Sequence, residues 1–217
     1  KHISVLIPFG HTSVVNIEGA HQIFSFVNRI LDDSGKAPLI NVQLVGLSKQ
    51  TSQRNGMFTI NPDVLIGDVK KTDLIIIPAI HGNPKDVAEQ NKDFIPWIIK
   101  HYKSGSEVAS FCIGSFFLAQ TGLLNGKPAT THWGYANEFR TMFPEVTVLD
   151  EKIMTEKDGI YTSGGAYSYL NLVLYLIEKH FGREISVIIA KSFMIDIDKT
   201  SQSPFIIFKG QKTHDDD

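Results

Sequence analysis

The stretch "TDLIIIPA" (72–79) is almost continuously apolar and rich in isoleucine. Such a run, far shorter than a membrane span and closed by proline, is expected of a central parallel strand covered on both faces. Outward toward the N-terminus, "ISVLIPF" (3–9) and "LINVQLVGLS" (39–48) are two further strand-like runs. Between them, "NIEGAHQIFSFVNRIL" places Ile17, Ala20, Ile23, Phe24, Val27 and Ile30 at helical spacing. In the other direction, helical sequence is expected from about Lys85 to Tyr102, with Val87, Ala88, Phe94, Trp97 and Ile98 inward. Pro96 should break that stretch, with Asp93 or a neighbour capping a second segment.

"EVASF" then reads as strand and "GSFFLAQTGLL" as helix, ending near Gly126. "HWGYANEFRTMF" reads as a short helix stopped by Pro144, and "VTVLD", "KIMTEKD" and "GIYTSG" as short strands separated by turns. "AYSYLNLVLYLIEKHFG" is a helix with Gly182 beyond its end, and "REISVIIAKSFMI" one more. Alternation of this kind implies an α/β fold, a doubly wound, mostly parallel sheet flanked by helices.

The 217 residues suit one domain, and 42% hydrophobic with 20% charged residues is ordinary for a globular chain. No apolar run approaches the ~20 residues needed to cross a bilayer. The opening "KHISVLIPFG" runs straight into a strand without a signal-peptide pattern, so a cytoplasmic location and no membrane partner are expected. A formal net charge of −2 is not the footprint of a domain that neutralises many phosphates. One cysteine forms no intrachain disulfide, and no Cys/His spacing suits zinc, so neither a metal nor a cofactor is expected.

That cysteine, Cys112, lies where "EVASFCIG" passes from strand to helix, the setting of a nucleophile elbow, with Gly114 allowing strand and helix backbones to approach. The helix N-terminus beyond it would favour a thiolate. The same residue also reads as a buried, inert cysteine.

"VASFCIGSFFLAQTGLLNGKPATTHW" (108–133) closely resembles the elbow-to-"TTH" segment of the ThiJ/PfpI superfamily, the class I glutamine amidotransferase-like α/β domains. Within it, the chain looks most like the sensor domain of GlxA-like regulators of the AraC type. The resemblance begins at "ISVLIPFG" and continues through "FPEV", "DGIYTSGGAYSYLNLVLYLIEKHFG" and "SQSPF". It implies a flavodoxin-like fold and a reactive pair of Cys112 and His132, in which the imidazole takes the thiol proton or holds the thiolate.

The superfamily's acidic residue at the head of the first helix is replaced by Asn16, and Ala20 stands where a proline is usual. Glu18, two residues on, can substitute only where the chain is not yet helical, because two residues of helix turn a side chain by ~200°. Around the elbow, Ile113 is counted with the pocket. Gly82 of "IPAIHGNP" keeps a close backbone approach, and His81 reads either as a pocket imidazole or as a solvated loop residue. Trp133 roofs a small-molecule pocket or packs in the core. "TSGG" (162–165) offers backbone donors to an anion, or simply turns the chain.

The resemblance assigns residues 1–198 to a ThiJ/PfpI-like sensor domain and 199–217 to a linker toward a C-terminal helix-turn-helix domain. DNA is then met only through that separate domain, and an unknown small-molecule effector and a homodimer are expected. The rival is a cysteine-dependent hydrolase, isonitrile-hydratase-like or glyoxalase-like enzyme using Cys112 and His132. A redox sensor acting through Cys112 is a third possibility.

Overall fold

The computed structural model describes residues 1–206 of the chain. In chain order the elements are β1 (His2–Ile7), β2 (His11–Thr12), α1 (Val14–Asp33), β3 (Asn41–Gly46), β4 (Thr51–Gln53), β5 (Phe58–Ile60), β6 (Val64–Leu65), β7 (Leu74–Ile77) and β8 (Ile80–His81). There follow α2 (Pro84–Gln90), α3 (Phe94–Lys103), β9 (Glu107–Ser110), α4 (Gly114–Gln120), β10 (Pro128–Ala129), α5 (Ala136–Met142) and β11 (Thr147–Val148). Last come β12 (Met154–Lys157), β13 (Ile160–Ser163), α6 (Tyr169–Phe181) and α7 (Arg183–Ser192).

Seven strands form one sheet in the order β12-β13-β9-β7-β1-β3-β6, parallel except for the antiparallel pair β12 and β13. The 72–79 run is at its centre, β7 lying between β1 and β9 with all four residues buried. Alternation along the strands serves two cores. Val5, Ile76, Ala109 and Phe111 face α1, α6 and α7, while Leu6, Ile75, Val108 and Cys112 face α2 to α5. Burying one Leu-, Ile- or Phe-sized side chain contributes about 1.5–3 kcal/mol, so two filled faces hold the layers together.

The helical stretch after β8 breaks at residues 91–93 rather than at Pro96. Pro96 falls in the first turn of α3, where a missing N–H costs nothing, and Asp93 stands at the N-cap position without a side-chain hydrogen bond. A small hairpin, β4–β5, turns through Arg54, Asn55 and Gly56, all at positive φ. Gln53 pins it to the end of β1: its Oε1 accepts the Thr12 N–H at 2.9 Å and its Nε2 donates to Pro8 O at 2.9 Å.

Strand order reverses between β1 and β7, because β3 lies on one side of β1 and β7 on the other. In open α/β sheets the crevice beyond the carboxyl ends of the strands at such a point is the usual ligand site. The loops that follow β1, β7 and β9 meet there.

Candidate functional site

Cys112 occupies a left-handed conformation, φ 53°, which a non-glycine residue adopts at a cost of order 1–3 kcal/mol. The surroundings hold it there. Its N–H donates to Ser163 Oγ at 3.3 Å, and its carbonyl accepts from Ser115 Oγ at 3.0 Å and Thr131 Oγ1 at 3.3 Å. Gly114 is dictated by the same bend: a Cβ there would lie 2.5 Å from Pro78 O and 3.0 Å from Ile77 O. Cys112 therefore stands in the strand-to-helix elbow the sequence suggested.

The charge state at that elbow differs from the expectation of a stabilised thiolate. Cys112 is 5% exposed, and burial pushes its thiol up to about 11; the Ile113 N–H that favours the anion recovers only part of this. Withdrawal from water outweighs the start of a seven-residue helix.

His132 stands just before the 3-10 turn Trp133–Tyr135, and its Nδ1 accepts the Gly134 N–H at 3.0 Å. An Nδ1 that accepts leaves the proton of the neutral ring on Nε2. Burial, and then the neighbouring His81, lower its pKa, so the ring is neutral near pH 7. Among the described residues no hydrogen bond joins Cys112 Sγ to His132. The two motif residues share one region without being hydrogen-bonded to each other.

Asn16 is 3% exposed, and its Oδ1 accepts the Ala79 N–H at 3.1 Å, while the Ser13 N–H donates to Ala79 O at 2.9 Å. These bonds clip the head of α1 to the end of β7 across the point where strand order reverses. Glu18 does not meet the condition for replacing a lost acid: the helix has begun at Val14, and Glu18 is exposed.

A cleft of about 200 Å³ opens beside the elbow, walled by Ile80, His81, Gly82, Val87, Ile113 and Phe116, with Tyr135 and Glu138 at its α5 side. His81 and Gly82 are both exposed, and His81 pairs with His11 across the antiparallel β2–β8 ladder. Burial, then Arg54 and His11, lower the His81 pKa. Trp133 is half-buried beside His132, ring centroids 5.3 Å apart, and does not line the cleft, whose aromatic residues are Phe116, Phe117 and Tyr135. Of the residues singled out from sequence, His81, Gly82 and Ile113 wall the cleft. Cys112, His132, Asn16 and Trp133 lie behind or beside it.

The "TSGG" donors are taken within the chain: the Gly164 N–H bonds Ile153 O at 2.8 Å and the Gly165 N–H bonds Gln202 Oε1 at 3.0 Å. Among the described residues no group of three or more His, Cys, Asp or Glu side chains is placed to hold a metal ion, and no helix is long and apolar enough to cross a membrane.

Comparison with known proteins adds a lineage to this geometry. The model of the DJ-1/PfpI family matches residues 22–179. The chain is 29% identical over 141 residues to the HTH-type transcriptional regulator CdhR of Pseudomonas aeruginosa, covering 65% of this chain and 40% of the relative. It is 31% identical over 125 residues to an isonitrile hydratase of Pseudomonas putida, covering 57% of this chain and 52% of the relative. The chain thus spans about half or less of the length of these relatives. A solved AraC family transcriptional regulator from Pseudomonas putida superposes with a TM-score of 0.73 at 13% identity, over 88% of this chain and 98% of that one, which is a likeness of fold.

Proposed function

Since the chain belongs to the DJ-1/PfpI family, we propose that it is the ligand-sensing and dimerisation domain of an AraC-type transcription regulator and carries no catalytic activity of its own. The observation that carries this reading is the state of the elbow. Its backbone is that of a nucleophile site, yet the thiol is buried and protonated, the imidazole Nδ1 is spent on Gly134, and the acidic position is an asparagine bonded to backbone. A nucleophile needs a base within hydrogen-bond reach and a group to orient that base.

In this reading a small-molecule effector sits in the cleft beside Ile113, His81 and Gly82, and the bound state changes the loops around Cys112 and His132. DNA is met by a separate helix-turn-helix domain, reached through a linker beginning near residue 199, and the protein acts in the cytoplasm as a homodimer. The transcription-regulator relatives support the assignment to transcription control.

The rival enzyme reading is favoured by the isonitrile hydratase relative and by the retained elbow cysteine. Thermal-shift screening of small polar metabolites decides between them. A stabilising compound that no longer binds Ile113→Trp, a variant that fills the cleft, is expected. Cys112-dependent turnover of an isonitrile or a 2-oxoaldehyde would overturn the sensor reading.

A further inference from the structure

Residues 200–205 do not lead straight away from the domain. Ser201 forms an isolated antiparallel bridge with Lys152, the Ile153 N–H donates to Thr200 O at 3.4 Å, and the Gln202 N–H donates to Glu151 O at 3.0 Å. The Gln202 side chain goes inward and is only 2% exposed. Its Oε1 accepts the Gly165 N–H at 3.0 Å, and its Nε2 faces Thr131 O at 3.0 Å, Lys152 O at 3.1 Å and Thr130 Oγ1 at 3.2 Å.

A primary amide has one acceptor oxygen and two protons, and here every one of them is engaged. Gly164 makes the room, because a Cβ there would lie 2.7 Å from the amide carbon. Thr131 passes the contact on, donating to Cys112 O at 3.3 Å. The ring of His132, the next residue, packs against Gly165, its Cδ2 lying 3.6 Å from where a Cβ on that glycine would be.

We propose that Gln202 is a positioning residue, a latch that fastens the outgoing chain to two segments beside the candidate cleft, the Thr130–His132 loop and the Gly164–Gly165 turn. The two segments and the exit chain then hold one arrangement together. A buried amide that satisfies groups on three separate segments couples them, because none can shift without leaving a buried donor or acceptor unpaired. The proposal rests on the sensor reading only for its purpose: an effector that displaces the His132 loop must also displace the segment that leads out of the domain.

Hydrogen exchange and a histidine titration by NMR, on the full chain with and without Gln202→Ala, test this. Amides of 131–134, Gly165 and 200–206 are expected to exchange at least tenfold faster in the variant, with β7 unchanged. The His132 pKa should rise toward the ordinary value as the ring becomes wetted. Faster exchange confined to 200–206, with His132 titrating as before, would show that Gln202 merely pins the chain end and would overturn the latch. Should Gln202→Ala not fold, Gln202→Asn keeps an amide but shortens its reach by one methylene, so that it no longer meets all of its partners. At least threefold faster exchange at 131–134 and Gly165 then supports the proposal, and no change there refutes it. A screen that finds no effector leaves these outcomes untouched, and unchanged exchange beside a proven effector removes the latch while keeping the sensor.

Discussion

The sharpest prediction concerns the pH dependence of Cys112 alkylation, which is simple to read because the chain has one cysteine. With the thiol held at about 11, its thiolate fraction at pH 7 is about 300-fold below that of a free cysteine with a pKa near 8.5. The more basic thiolate is the better nucleophile, which returns roughly tenfold, so the rate with iodoacetamide is expected to fall about 20- to 30-fold below that of a small thiol. Shielding by the surrounding side chains lowers the rate further at every pH without moving the midpoint. The shape of the profile therefore tests the argument more cleanly than its height. Followed by intact mass, the rate should climb about tenfold per pH unit from 7 to 10 and level only near the thiol pKa. A plateau below pH 8 would mean that His132 or the start of α4 stabilises the thiolate after all, and would refute the claim that burial decides the state of the elbow.

Gly114→Ala puts a methyl group 2.5 Å from Pro78 O, where backbone rather than a mobile side chain must yield. A loss of about 1–3 kcal/mol in urea unfolding is expected, and a loss under 0.5 kcal/mol would show that the elbow and the end of β7 are not in close contact. Glu107 lies at the other end of β9. Burial opposes its ionisation, but His180 at 2.6 Å, Tyr161 at 2.6 Å and Lys179 at 3.2 Å outweigh it and hold the carboxyl at about 2. The folded pKa is below the unfolded value near 4.3, so this contribution is present above pH ~4.3 and is lost as pH falls toward 2. Glu107→Gln should therefore lower the melting temperature at pH 7 while flattening its fall between pH 4.3 and 2; parallel profiles for the two proteins would contradict the assignment.

Much of the architecture could be read from the chain because its signals are local. The 72–79 run is apolar on both faces, as a strand covered by helices on each side must be, and strand, Cys112, Gly114 and helix imply the elbow. What escaped depends on partners distant in sequence. The β4–β5 hairpin carries an Arg-Asn-Gly turn that marked it, but its anchor is Gln53 binding residues about 40 positions away. Tyr135, Phe116 and Phe117 at the cleft look like any core aromatics until α4 and α5 are set side by side. Gln202, in a polar stretch after the last helix, had the appearance of linker, and nothing in "SQSPF" says that its amide is buried.

Asn16 stands where the family resemblance leads one to expect an acidic residue, and its chemistry differs from a carboxylate's. A carboxylate buried at this place would need a cation, or would bind a proton to escape its desolvation. Linked to a nearby thiol or imidazole, such a group could support acid–base chemistry. The asparagine needs neither: it accepts the Ala79 N–H and is otherwise electrically silent at every accessible pH. Beside this uncharged side chain, burial lowers the pKa of His132 and raises that of Cys112, so both groups favour their neutral forms near pH 7. The strained backbone of the elbow is held by Ser115, Thr131 and Ser163, whatever the charge state of the thiol. Under the proposed sensor reading, an uncharged corner of this kind beside a cleft suits a surface that reports occupancy, and the proposed Gln202 latch would carry that report to residues 200–205.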